Sequence, residues 1–333
     1  GGLYFLFSII LLIDIFDNNL KKSLTNFITF DTSETLKQSF KILILYSILT
    51  FFIFITLKIF DFRTFDSFNL SMTLISSGGF LPFNHLSLVL NSNVKEVIFS
   101  VLMLVSFFSI FLSYNLIFLK NRNVNFFQED IYLFFYLLSL IIIFFSFLNF
   151  EHDYSLLFFC LASSISNIGF SLDHSPKNLS FIFLILVIIG GSFFSTSSGI
   201  RFLKLYVLFK FSLNNLISHV RPITVSNNKQ LFSDISLDKL IINKYFLSVI
   251  IFIISLLFLS SFLTFFGISF ENSFKISILT LMNTVNSSMY GIEDFNFQNL
   301  QFVIKYLLII FMIIGRVELL TVLIILKKIL FKN

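Results

Sequence analysis

The chain has 333 residues, 56% of them hydrophobic and 12% charged, where a soluble domain carries about 25% charged; this balance excludes a water-soluble globular fold. Its net charge of +5 is parcelled out between apolar runs, which speaks for membrane orientation and sets aside nucleic acid as a partner. A lone cysteine, Cys160, excludes a disulfide framework and a thiolate metal cluster.

In chain order, residues 3–16 read as the second half of a span, so the chain is expected to start inside a helix of a longer protein. Runs long enough to cross about 30 Å of hydrocarbon are predicted near 40–60, 94–119, 131–149, 179–196, 241–267 and 302–326. Shorter apolar stretches near 65–76, 154–165 and 273–285 carry Ser, Thr or Asn and are too short to cross. A Gly-containing turn follows each: Ser76-Ser77-Gly78-Gly79-Phe80, Ser166-Asn167-Ile168-Gly169-Phe170, and Asn286-Ser287-Ser288-Met289-Tyr290-Gly291. The pattern is therefore span, re-entrant helix, polar turn, span, three times over, and such repetition predicts similar units arranged around an axis. The 52 phenylalanines read as lipid-facing and core packing.

Basic residues orient these units. Placing 17–41, 120–130, 201–244 and 327–333 on one side collects sixteen of the 23 Lys and Arg residues, which makes that side cytoplasmic. Arg63, Lys95, Lys177, Lys275 and Lys305 fall on the other side, and Lys58 and Arg316 lie within spans. All three turns then face outward, beside Asp61, Asp66, Glu151, Asp153, Asp173, Glu271, Glu293 and Asp294, which would concentrate cations at a mouth.

Irregular backbone at membrane depth is tolerated where protein buries it or where it lines a watery cavity. A short helix that enters, turns on Gly and leaves extended aims carbonyl oxygens at one axis, and several such turns can replace the hydration shell of a cation. Arg316 sits well inside the last predicted span, where an arginine costs about 2.5–3.5 kcal/mol on insertion scales unless it pairs or faces water. Glu318, two residues on, does not face it along a helix. The histidines His85, His152, His174 and His219 show no metal-ligand spacing. The spans hold almost no titratable residues beyond Arg316 and Glu318, so no enzyme is expected.

The chain resembles the Trk/Ktr/HKT superfamily of potassium transporters, with most of the first repeat missing. Besides the turns, the resemblance rests on Gly190-Gly191-Ser192-Phe193-Phe194-Ser195-Thr196-Ser197-Ser198-Gly199-Ile200-Arg201, which looks like the family's broken helix in its third repeat. It also rests on His219-Val220-Arg221-Pro222, similar to the basic segment that follows, and on Gly315-Arg316-Val317-Glu318-Leu319, similar to a Gly-Arg-Leu-Glu motif in the last span. Gly1-Gly2 matches the second span of the first repeat.

The resemblance implies an all-α, polytopic membrane protein of span–pore helix–span units around a central pore. Residues 1–38 would end the first repeat, 39–122 form the second, 123–215 the third, 216–240 a cytoplasmic loop, and 241–333 the fourth. It implies an ion filter at Ser77, Gly78, Gly79, Ile168, Gly169, Ser288, Met289 and Gly291, with the fourth repeat's glycine replaced by Met289. It implies a gate at Ser192, Ser195, Thr196, Ser197, Ser198, Gly199 and Arg316, although Phe193 and Phe194 depart from the small residues usual there. Potassium would be the transported ligand, with no cofactor in the chain. The setting would be the bacterial inner membrane, crossed several times, with a homodimer and a cytosolic nucleotide-binding regulatory ring as partners. The alternatives are a sodium-conducting protein or a degenerate, non-conducting regulatory subunit of the same family.

Overall fold

The computed structural model describes residues 35–83, 86–109, 128–147, 153–192, 195–220, 239–292, 297 and 300–317. Among these residues there are ten α-helices and no β-strand, only an isolated bridge between Ile189 and Ile200. The helices are α1 (Thr35–Ile59), α2 (Thr64–Ser76), α3 (Asn93–Leu104), α4 (Gln128–Phe147) and α5 (Tyr154–Ile165). They continue with α6 (Ser180–Ile188), α7 (Phe202–Val220), α8 (Lys239–Phe265), α9 (Phe270–Leu281) and α10 (Phe302–Val317).

The long helices are apolar on both faces. Leu45, Leu49, Ile53 and Leu57 form a stripe every four residues that α1 turns into the protein, while Ile44, Phe51 and Ile55 stay exposed on the far side. In α8, Phe252, Leu256, Leu259 and Leu263 are buried, and Ile253, Ile254, Leu257 and Phe258 are exposed. Such a surface is stable against lipid rather than water. By length and composition, α4 over Glu129–Ser146 and α8 over Ile242–Phe265 can each cross a membrane.

The short helix α5 is almost wholly buried, while α2 and α9 turn one face inward and leave Phe65, Phe68, Met72 and Phe270 exposed. Each packs between a preceding helix and a following one: α1·α2·α3, α4·α5·α6 and α8·α9·α10. Successive units join in one way, with α3 against α5 and α6 against α9. Hydroxyls enter this apolar interior by bonding carbonyls one turn back: Ser71 to Phe68, Ser164 to Cys160, Ser277 to Ser273 and Thr280 to Ile276.

Several predicted bounds move. The run 94–119 is helical only to Leu104; residues 105–108 continue as tighter turns, and 110–119 lie outside the described residues. The run 179–196 is helical over Ser180–Ile188, because Ile189 goes extended. The boundaries at 38/39 and 215/216 fall within α1 and α7, since a helix that leaves the apolar layer keeps pairing its backbone groups until the sequence breaks it. Lys58 is at the outer end of α1, where its ammonium donates to Phe62 O (3.1 Å) and Thr64 Oγ1 (3.2 Å) instead of remaining inside a span. Asp66 is buried in the first turn of α2, so it is no surface charge.

Candidate ion-filter turns and gate loop

The three short helices end alike. Ser77, Asn167 and Asn283 take left-handed backbone, with φ of +48°, +58° and +51°. Their N–H groups donate to carbonyls three residues back, at Leu74, Ser164 and Thr280. The next N–H groups, of Gly78, Ile168 and Thr284, donate five residues back to Thr73, Ser163 and Leu279. These are Schellman-type caps, which satisfy helix-end carbonyls that water cannot reach. Asn tolerates this backbone better than most residues.

The shared cap sets the register of these turns, which are called second, third and fourth after the repeats expected from sequence. Position 78 corresponds to 168 and 284, so 79 corresponds to 169 and 285. Gly79 and Gly169 have φ of +68° and +84°, a region that L side chains rarely adopt. In the last of the three turns the residue is Val285, which has no positive φ. The assignment of this place to Met289 is therefore corrected: Asn283 supplies the left-handed cap, and the next two residues complete the turn before Met289 is reached. Ser288, Met289 and Gly291 belong to a separate 3₁₀ turn, Ser288–Tyr290, closed by Gly291. There Met289 is buried with its Sδ 3.8 Å from Ser164 Oγ, and Ser288 Oγ donates to Ser171 Oγ at 3.2 Å. Gly291 O accepts from Lys275 Nζ (3.1 Å), which also pairs with Glu271 at 2.6 Å. The hydrogen bond and charge of Lys275 hold the exposed Glu271 carboxyl below the usual carboxylate range.

The turns meet. A methyl group on Gly79 would overlap Ile168 O and the isopropyl group of Val285. One on Gly169 would overlap Val285 O and stand 2.8 Å from Val285 N. The Val285 N–H donates to Ile168 O at 3.4 Å. Along these turns Ser77 Oγ, Asn167 Oδ1, Asn286 Oδ1 and Ser287 Oγ are buried without a hydrogen-bond partner. Buried polar atoms are seldom left so, and acceptors in this state suit water or a cation.

The residues expected to form a gate gather next to these turns. Mutual bonds, Gly190 N–H to Ile200 O (2.9 Å) and Ile200 N–H to Ile188 O (3.0 Å), close the base of the loop. Within it Ser192, Ser195, Thr196 and Ser197 are fully buried. Thr196 Oγ1 donates to Ile75 O at 2.7 Å, so the loop covers the end of α2. Ser192 N–H and Ser197 N–H donate to Phe107 O (3.1 Å) and Ser106 O (3.2 Å). Arg316 spans the loop and the end of α2, donating from Nη1 to Ser198 Oγ (2.7 Å) and from Nη2 to Ser76 O (2.9 Å). Gly315 lets α10 come this close, since a side chain there would overlap Leu281 O at the end of α9. Phe193, Phe194 and Glu318 lie outside the described residues, as do His85 and His152.

Three participants were given no role from sequence. Arg201, buried, donates from Nη1 to Ser192 O (3.1 Å) and Ser197 O (3.0 Å), organising the loop from within. Asp130, buried at the start of α4, accepts from Ser109 N–H at 3.0 Å and secures the backbone behind the loop. Val285 was hidden because a valine carries no turn signal; the preceding Asn-Thr, set beside Asn167-Ile168, was the available clue.

No family model and no curated protein matches the chain. Among solved structures, the crystal structure of the potassium transporter TrkH from Vibrio parahaemolyticus matches with a TM-score of 0.74 at 17% identity. The match covers 98% of this chain and 69% of that one. The chain thus has the all-helical fold of a polytopic membrane protein, similar to that of TrkH.

Proposed function

We propose that this chain is the membrane subunit of a gated, channel-like cation pathway, with potassium as the transported ion and backbone carbonyls of the turns as its filter. The observation that carries the reading is the convergence of three like-capped turns beside buried, unpartnered oxygens. Carbonyl and amide oxygens suit hard monovalent cations, and their rigid turns supply ligands in place of water. The likeness of the fold to TrkH, a potassium transporter, supports potassium as the ion.

In this reading the 192–199 loop blocks the path below the turns, held shut by Arg316 and Thr196, and moves to open it. The guanidinium of Arg316 also opposes cations at that level. The chain needs no cofactor and is not an enzyme. It acts in the bacterial inner membrane, as a homodimer docked to a cytosolic nucleotide-binding ring. A sodium-conducting protein or a non-conducting subunit is the second reading, favoured by Val285 at a glycine position.

The test is growth at micromolar potassium of a host without its own uptake, expressing the full-length gene and its regulatory ring. Rescue that is lost with Gly79→Asp and kept or increased with Arg316→Ala supports a potassium path through these turns. Absence of rescue with protein present in the membrane overturns potassium uptake and moves the second reading forward.

A further inference from the structure

Asp66 and Asp130 are the buried carboxyl groups among the described residues. Asp66 lies in the first turn of α2. Asp130, at the start of α4, reaches backbone twenty-one residues before it and accepts the Ser109 N–H at 3.0 Å. A buried carboxyl is costly unless its oxygens are bonded. The Ser192 hydroxyl, fully buried and without a hydrogen bond of its own, stands beside the same carboxyl. Residues 105–109 are also the platform on which the 192–199 loop rests. After α3 the N–H groups of Ser106 and Phe107 fold three residues back, to Met103 O and Leu104 O. Ser106 O then accepts from Ser197 N–H (3.2 Å), and Phe107 O from Ser192 N–H (3.1 Å). A methyl group on Gly191 would overlap Phe107 O, so the two backbones touch. Ser192 O in turn accepts from Arg201 Nη1 (3.1 Å) and Ser195 Oγ (2.7 Å). Asp130 thus meets the loop at one serine and the platform of the loop at another.

We infer that Asp130 is a positioning residue that ties the start of α4 to the loop through Ser109 and Ser192, so that closure of the loop depends on where that helix end stands. The inference rests on the reading of the loop as the barrier of a cation pathway. The start of α4 adjoins residues 120–130, which the basic-residue pattern puts on the cytoplasmic side. A partner that shifts this helix end therefore moves Ser109 and Ser192 together, and with them the carbonyl that Arg201 holds. Thr196 and Arg316 fasten the loop to the end of α2 by separate bonds, so Asp130 adds a link that they do not supply. Asparagine at 130 keeps an oxygen for the Ser109 N–H and turns an amide toward the Ser192 hydroxyl, whereas alanine leaves both without a partner.

The experiment is amide hydrogen exchange of residues 190–201 and of α9 in detergent, beside potassium flux into proteoliposomes with and without the regulatory ring. Full-length wild type, Asp130→Ala, Asp130→Asn and Ser192→Ala are compared after each is shown to be monodisperse. The expected result is exchange in the loop at least about tenfold faster for Asp130→Ala, with a smaller rise for Ser192→Ala. Asp130→Asn stays near wild type, α9 is unchanged throughout, and flux without the ring rises in the same order. Unchanged loop exchange in Asp130→Ala overturns the inference, and so does equal acceleration in the loop and α9. Asp130→Asn behaving as Asp130→Ala overturns a hydrogen-bonded link. Faster loop exchange with no rise in flux without the ring, where wild type conducts with it, overturns control of closure by Asp130. No flux under any condition overturns the pathway reading alone, and the exchange rates still decide the link between Asp130 and the loop.

Discussion

The third and fourth turns have the same skeleton and different contents. Both end a short buried helix with a left-handed asparagine and a bond five residues back. In the third, Ser163 Oγ donates to Phe170 O at 2.7 Å, and Gly169 follows the cap. In the second, Thr73 Oγ1 accepts from Phe80 N–H at 2.9 Å. The fourth has Leu279 in that place, Val285 for glycine, and an Asn286 whose Oδ1 is buried and unpartnered. The cap is thus retained because the helix needs it to bury its end, while the residues that tune the following backbone have diverged.

Exchanging contents between the turns gives the largest expected effect. Gly169→Val would set a β-branched residue at φ +84° and overlap Val285 O, costing at least about 3 kcal/mol. Membrane yield and thermal unfolding in detergent should both collapse. A variant as stable as wild type would show that the third turn has room the geometry denies.

The two cap asparagines should differ next. Asn167 is fully buried, donates from Nδ2 to Val187 O at 2.7 Å and is 3.4 Å from Thr284 Oγ1. Asn283 is half-buried and donates to Met312 O at 2.8 Å. Asn167→Ala should cost about 2 kcal/mol, orphaning a buried carbonyl as well as straining the cap, and Asn283→Ala about 1 kcal/mol. Equal losses in thermal or denaturant unfolding would contradict a tighter third turn.

Restoring the missing hydroxyl should matter less. Leu279→Thr offers the Asn286 N–H the acceptor that Thr73 offers Phe80, while removing buried apolar volume. The net change should stay within about 1 kcal/mol. A loss well beyond this would mean that the fourth turn depends on Leu279 packing and cannot be rebuilt by one bond.

The smallest effect concerns pH. Glu271, exposed, has its carboxyl held below the usual range by Lys275, which also clamps Gly291. The pair therefore contributes above the unfolded carboxylate pKa of about 4.3. That contribution is lost as pH falls through the depressed folded value. Unfolding temperature should fall slightly more for wild type than for Glu271→Gln on acidification, and the difference should shrink with salt. A difference that persists in high salt would refute an exposed-pair origin.

Much of the architecture was legible in advance. Span lengths, short Ser- and Asn-bearing stretches, and Gly turns are local properties of apolar length and backbone permissiveness, and they located α2, α5 and α9 closely. Arg316 was conspicuous because charge is expensive at that depth. Asp130 was less so, because it stands at the edge of its predicted run and its partner, Ser109 N–H, is reached only through folding.

The sequence by itself determined a membrane protein of repeated helical units with polar turns, since hydrocarbon thickness and backbone hydrogen bonding leave few other solutions. Only the tertiary structure decided that the fourth turn runs through Asn283 and Val285 rather than Met289, and that Arg201 and Arg316 bind the loop. Register across repeats is set by a cap bond five residues back and by contacts between turns more than a hundred residues apart, of which the pair Asn283-Thr284 is only a faint local trace.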